Sequence, residues 1–362
     1  MATPDYWHYP RTQLADSVLM AFDSGLSHAL TMFAPRRMGK TELLLKDIAP
    51  RAAEHGWRVF YHSFMTDGDE AGEVFRHALA EFAAGKLKTW LKPLTARVSA
   101  EVLGVKAELG TKESLPAHSL TEIVQAVASG GRCLLLLDEA QALNRQARNE
   151  ELLGGLRTGL DINKDTLKVL FTGSSREGLR RMFSEARTPF FHFGTNIELP
   201  TLDQGFCFHL AEAFRRSTGR TLDAWKLWAE FESMGNMPGR LRAVVEAMVL
   251  NADLDLDQAI ALKLHDLHDE VQYARIIKAL PVLDRQVLLA ALDGAPLFAE
   301  DTRNRIGATL GAKPPTTTAI QSATDRLLRD EILTRRERGH YEISDPGFAQ
   351  WLRALSTPSP DA

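Results

Sequence analysis

Three consecutive residues, Gly39, Lys40 and Thr41, carry the clearest chemistry in the chain. They close the stretch Ala34-Pro-Arg-Arg-Met-Gly-Lys-Thr, which matches the phosphate-binding pattern G-x-x-x-x-G-K-[ST] at every position but the first. In such a loop backbone amides wrap phosphates, the lysine reaches the terminal ones and the hydroxyl holds Mg²⁺. The nucleotide-binding segment expected here runs through Pro35, Arg36, Arg37, Met38, Gly39, Lys40 and Thr41 to Glu42. Ala34 replaces the glycine that eases the turn out of a strand, a backbone role that a methyl group meets where φ stays negative. Arg36 and Arg37 either touch phosphate or lid, or are solvated at the loop tip.

A second motif lies about a hundred residues on. The run Cys133-Leu-Leu-Leu-Leu-Asp-Glu ends in two acids. An acid at the end of an apolar strand reaches Mg²⁺ through water, a role that Asp138 fits. Glu139, one residue later, stands where a general base would activate an attacking water. The alternative, that both merely cap the next helix, is weakened by the order of the two motifs. A third feature, Leu170-Phe-Thr-Gly-Ser-Ser, ends another apolar run in hydroxyls, and Ser174 or Ser175 there can hold the water or the terminal phosphate.

The elements that must position these groups follow from the hydrophobic pattern. Apolar runs at 28–35, 58–64, 132–140 and 167–175, with a further candidate in "GTNIELP", alternate with helical spacing. That alternation predicts an α/β fold with a parallel sheet covered by helices on both faces. The helix after the loop is predicted to be interrupted or to end near Pro50. Residues 86–117 read as an insertion of unassigned shape. From about Phe206 the pattern turns helical, a lid over 205–270 in which Trp225, Trp228 and Phe231 are expected in the core. Residues 271–356 read as three helices, a hairpin turning at Arg338-Gly339 and a last helix, a winged helix-turn-helix. The predicted domains are therefore a phosphate-loop core (1–204), lid (205–270), winged helix (271–356) and tail (357–362).

Bulk composition limits the alternatives. With 362 residues, 44% of them hydrophobic, the chain can bury a core in two or three domains. A net charge of −4 excludes a protein that is basic throughout, so nucleic-acid contact requires a local patch. Cys133 and Cys207, far apart in apolar runs, suit buried thiols in a reducing cytoplasm. No stretch long and apolar enough to span a membrane occurs, so a cytoplasmic protein without a membrane partner is expected.

The quoted motifs, with Gly235-Asn-Met-Pro-Gly-Arg-Leu and the terminal winged helix, resemble the AAA+-related ATPases, most closely the archaeal-ATPase branch related to the STAND signalling NTPases. The resemblance spans roughly residues 9–355. It implies an ATP-hydrolysing enzyme with ATP and Mg²⁺ as cofactors: Lys40 and Thr41 on phosphate and metal, Asp138 on metal, Glu139 as base. It further implies Ser174 as a first sensor of the terminal phosphate, Arg240 as a second sensor reaching from the lid, and Tyr9, Pro10 and Arg11 beside the adenine. Many relatives insert an arginine into a neighbouring subunit's site. Here the matching stretch carries His192 and Phe193, with Arg176, Arg180, Arg181 and Arg187 as nearby substitutes, so assembly through such an arginine is not expected.

The winged-helix segment holds 12 Lys and Arg against 10 Asp and Glu, a net of +2. Its third helix offers Thr317, Gln321 and Arg326 toward base edges, and its hairpin offers Arg335, Arg336 and Arg338 toward phosphates, a surface for double-stranded DNA. The competing expectation is a switch whose winged helix docks on the ATPase core, on another protein or on another copy of the chain, without nucleic acid.

Overall fold

A computed structural model describes residues 5–65, 70–85, 119–145, 149–174, 178–179, 182–183, 188–264, 267–330, 332–337 and 339–356. The 86–117 insertion, Ser175, the four substitute arginines, Arg338 and the tail fall outside the described residues, as does the side chain of Arg336.

The first unit consists of α1 (Thr12–Asp23), β1 (Ala29–Phe33), the helical stretch α2, β2 (Arg58–Ser63), α3 (Ala71–Ala83), α4 (Leu120–Ser129), β3 (Cys133–Asp138), α5 (Glu150–Ile162), β4 (Leu167–Gly173) and β5 (Thr195–Glu198). The strands form one parallel sheet in the order β2-β3-β4-β1-β5. Every residue of β3 and β4 is buried, which explains their unbroken apolar runs. The period of two sorts them: Leu135, Leu137, Val169 and Phe171 pack on one face with Ile123 and Leu156, while Leu134, Leu136 and Leu170 pack on the other with Leu19, Leu43 and Leu44. The short strand β5 is largely exposed at the sheet edge.

The stretch α2 comprises Lys40–Glu42, a π-wound segment Leu43–Ile48 and Ala49–Glu54. It is interrupted by the π-wound segment just before Pro50 and does not end there. The wider winding loosens the turn whose carbonyl the proline ring would otherwise strike, and Pro50 becomes an early residue of the last segment.

Four helices follow: α6 (Gln204–Thr218), α7 (Ala224–Ser233), α8 (Pro238–Leu250) and α9 (Leu256–Leu264), with a core of Phe206, Leu210, Phe214, Leu227, Phe231 and Leu241. Phe231 is fully buried, but Trp225 is 60% exposed and meets Phe208 edge-on at the surface, so its placement in the lid core is corrected. On α7 it sits next to the Asp223 cap, on a turn that faces out.

The C-terminal unit has its own core. It contains α10 (Leu267–Ala279), α11 (Val282–Leu292), α12 (Glu300–Thr309), α13 (Thr317–Arg329), the antiparallel pair β6 (Leu333–Glu337) and β7 (His340–Ile343), and α14 (Pro346–Ser356). Gly339, at φ 90°, makes the hairpin turn. Cys133 and Cys207 are buried free thiols, and burial pushes both up to about 12. Among the described residues no helix is long and apolar enough to cross a membrane.

Candidate functional site

The carboxyl ends of β1, β3 and β4 lie side by side, so the loops that leave them share one edge of the sheet, where open α/β folds place ligands. The loop after β1 carries the Gly-Lys-Thr. Gly39 is at φ 84°, a left-handed conformation that glycine accepts without penalty. Ala34 avoids that region, and its N–H donates to the Gly173 carbonyl at 3.2 Å, so the methyl group is accommodated as the sequence required.

Lys40 is 5% exposed. Its Nζ donates to the carbonyls of Ala34 (2.7 Å) and Pro35 (3.1 Å) and lies 3.7 Å from Glu139 Oε1. Burial lowers the Lys40 pKa, against the opposing pull of Glu139 and Asp138. The Thr41 hydroxyl donates to Asp138 Oδ2 at 2.6 Å, while Asp138 Oδ1 accepts the Thr172 hydroxyl and the Glu139 amide. Thr41 and Asp138 thus offer two adjacent hard oxygens, the donor chemistry that Mg²⁺ takes when phosphates complete its shell. The fit is good.

Glu139 is 6% exposed and sits at φ 55°, a strained conformation for a residue with a side chain. Its Oε2 accepts from the Ser174 hydroxyl (2.6 Å), the Ser174 amide (3.2 Å) and Gln141 Nε2 (2.6 Å). Burial would raise its pKa, but Lys40 and these hydrogen bonds more than offset it and hold the carboxyl below its usual range. The base candidate is therefore ionised and aimed by three donors. Gly173 is needed for this arrangement, because a Cβ there would strike the Gln141 amide.

The four-helix unit meets the loop directly. The Gly239 N–H donates to the Arg37 carbonyl at 3.0 Å, and a Cβ on Gly239 would lie 2.9 Å from Arg37 Cβ. Arg37 itself is held at φ 66°. Arg240, next along α8, lies 3.9 Å from Asp345 at the start of α14, against a glycine, Gly347, whose Cβ would overlap its guanidinium. In this conformation Arg240 faces the C-terminal unit.

Beside the loop lies a small cavity, bordered by Trp7, Tyr9, Arg11, Met38, Gly39, Leu43, Phe206 and Pro238. Arg11 ties it together, donating to the carbonyls of Pro200 and Met38. Three polar residues on its wall escaped sequence reasoning: His8, Asp47 and Arg242. His8 Nε2 lies 2.8 Å from Asp47 Oδ1, and Arg242 donates to Glu42 at 2.7 Å. Burial would lower the His8 pKa, yet Asp47 and Glu42 carry it up to about 9, so the ring is a cation at neutral pH. Glu42 is half-buried, which alone would raise its pKa, but His8, Arg242 and Lys46 bring it well below the carboxylate range.

The candidate DNA residues of the C-terminal unit are arranged otherwise. Arg326 forks onto Asp284 with bonds of 2.8 and 2.6 Å, which commits it inside the unit rather than toward an outside base edge. Gln321 donates to Asp325 at 2.8 Å, and Arg335 lies over the Tyr341 ring while donating to its hydroxyl. Thr317 is exposed at the start of α13.

No protein-family model and no curated protein matches the sequence. Solved structures do match in fold. The Walker-type ATPase of Pyrococcus abyssi superposes with a TM-score of 0.64 at 16% identity, covering 96% of this chain and 99% of that one. The ORC2 protein of Aeropyrum pernix, solved with ADPNP and ADP, superposes with a TM-score of 0.55 at 15% identity, covering 94% and 93%. Its ADP form gives 0.52 at 17% identity, covering 95% and 91%. At these identities the likeness establishes a shared fold, a phosphate-loop α/β core followed by helical units.

Proposed function

We propose that the chain binds ATP with Mg²⁺ at the edge formed by β1, β3 and β4, and hydrolyses it. The observation that carries this reading is the convergence of Lys40 and Thr41 at the start of α2, Asp138 and Glu139 at the end of β3 and Ser174 just after β4, linked by hydrogen bonds of 2.6 Å (Thr41 to Asp138, Ser174 to Glu139) and a Lys40–Glu139 ion pair of 3.7 Å. Loop amides and Lys40 would embrace the phosphates, whose oxygens replace the carbonyls that Lys40 now contacts. Thr41 and Asp138 would hold Mg²⁺, which supplies charge neutralisation on the terminal phosphates. Glu139 accepts a proton from water as the water oxygen bonds to the terminal phosphorus and the bond to the leaving phosphate oxygen breaks, giving ADP and phosphate. Ser174 and Gln141 keep that carboxylate aimed.

Replacing Glu139 by Gln tests the assignment. The variant keeps hydrogen-bonding capacity but loses the base, so ATP stays bound while turnover falls. Equal turnover by both proteins removes Glu139 from the chemistry.

The nucleotide state is proposed to reach the C-terminal unit through α8, where Gly239 contacts the loop and Arg240 contacts Asp345. In the first form of the proposal the C-terminal unit then meets duplex DNA through Thr317, Gln321 and the hairpin arginines Arg335, Arg336 and Arg338. A second form, a switch whose C-terminal unit docks internally or on protein, is favoured by two contacts: Arg326 with Asp284 and Arg240 with Asp345. Binding of duplex DNA that weakens steeply with salt and disappears when the three hairpin arginines become alanine supports the first. Absence of binding at low salt supports the second.

A further inference from the structure

Between them β3 and β4, buried throughout, contain two charged residues, Asp138 and Lys168. Asp138 stands at the carboxyl edge of the sheet and belongs to the site described above. Lys168 stands near the amino edge, and nothing in the proposed reaction uses it. At that edge Phe22, Asp23, Trp57, Arg132, Asp165 and Lys168 are among the residues that border a cavity of about 590 Å³, a volume that suits a small organic molecule. Lys168 is 4% exposed. Its one hydrogen bond among the described residues runs from Nζ to the Lys164 carbonyl at 2.7 Å, in the turn that brings Asp165 to the cavity wall, and it forms no ion pair with any of them. Burial pushes its pKa down against the pull of Asp165, and the like charge of Arg132 adds to the fall. Asp23, the other acid on the wall, is committed elsewhere: Oδ1 accepts from Trp57 Nε1 at 3.0 Å and from Arg132, and Oδ2 lies 2.9 Å from His55 Nδ1. Arg132 is also held over the Trp57 ring, 3.9 Å from its centre. A buried ammonium with spare donors, no paired carboxylate and a second cation nearby is costly, and an anion in the cavity would relieve that cost.

We propose that this amino-edge cavity binds a small organic oxyanion, a phosphate monoester or a carboxylate, whose charged head accepts hydrogen bonds from Lys168 Nζ and Arg132. Trp57 is the positioning residue, since its ring and its bond to Asp23 fix the place of the guanidinium. The site lies at the opposite edge of the sheet from Lys40, so it stands whether or not the phosphate loop takes a nucleotide.

The test is calorimetric titration of the full chain with inorganic phosphate and with succinate, which present the two kinds of charged head. A saturable heat with one of them is expected, and the ion that binds more tightly identifies the source. Because the phosphate loop can also take phosphate, the titrations are repeated with Lys40→Ala and with Lys168→Met, which keeps the length of the buried stem and removes its charge. Lys40→Ala is expected to retain the amino-edge heat, and Lys168→Met to weaken that binding about tenfold or more. A heat that Lys40→Ala loses and Lys168→Met keeps would place the ion at the phosphate loop and overturn the proposal. So would the absence of saturable heat with both ions. Should Lys168→Met fail to fold, Arg132→Gln is read in its place, with the same weakening expected and unchanged affinity counting against the site.

Discussion

Two regions of the molecule carry its charged candidates, and they treat them differently. At the sheet edge Lys40, Asp138 and Glu139 are nearly fully buried, drawn from the start of α2 and the end of β3 and turned toward one point. In the C-terminal unit Arg326, Gln321 and Arg335 each answer to a neighbour within the same unit. Burying three charges together is expensive unless a ligand uses them. Pairing them within the unit, Arg326 with the buried Asp284 and the others near the surface, asks for nothing outside. On the proposed reading the first region is organised for a bound nucleotide, while the second takes its organisation from its own fold.

The contrast can be broken or sharpened by experiment. The largest effect is expected for Glu139→Gln, a fall in ATP turnover of about 10²–10⁴-fold with nucleotide still bound, followed by single-turnover phosphate release. Next comes Leu136→Ala in the middle of β3, where loss of a fully buried side chain should cost about 2–5 kcal/mol in denaturant unfolding. In the C-terminal unit, Arg326→Ala leaves the buried Asp284 carboxylate without its fork. A loss of about 1–3 kcal/mol of that unit's stability, with ATP turnover unchanged, is expected from thermal unfolding. Unchanged stability together with lost DNA binding would reverse the structural role given to Arg326.

The smallest effect concerns pH. The His8 pKa is raised to about 9 in the folded chain from an ordinary 6.5, so its contribution to stability is complete below pH 6.5 and is lost as pH rises through about 9. Stability of the wild-type protein should therefore decline over that window by about 1–2 kcal/mol, the linkage value being reduced by solvent screening at a part-exposed ring, and His8→Gln should flatten the decline. Glu42 works in the opposite sense, since its depressed pKa stabilises the fold above the ordinary carboxylate range and ceases to do so in acid.

Much of this was legible in the sequence, for reasons that can be named. β3 and β4 announce themselves because a strand buried on both faces must be apolar throughout, as Leu134 to Leu137 are. The loop and the acidic pair are short and contiguous, so their spacing survives without a fold to inspect. Pro50 marked the interruption of α2, though not its form, because a π-wound turn is not written in periodicity. Trp225 misled because one residue of register on α7 separates core from solvent. The clamp of His8 on Asp47 joins residues 39 apart, and the shield of Gln141 and Ser174 around Glu139 joins β3 to β4. Such contacts belong to the folded chain alone.

The central claim is that this edge holds a magnesium nucleotide through Lys40. Titration of Mg-ATP into the wild-type chain and into Lys40→Ala, followed by calorimetry, tests it most directly. A saturable heat with the wild-type protein that vanishes in the folded variant is the predicted result. No heat with the wild-type protein, or the same heat with both, would contradict it.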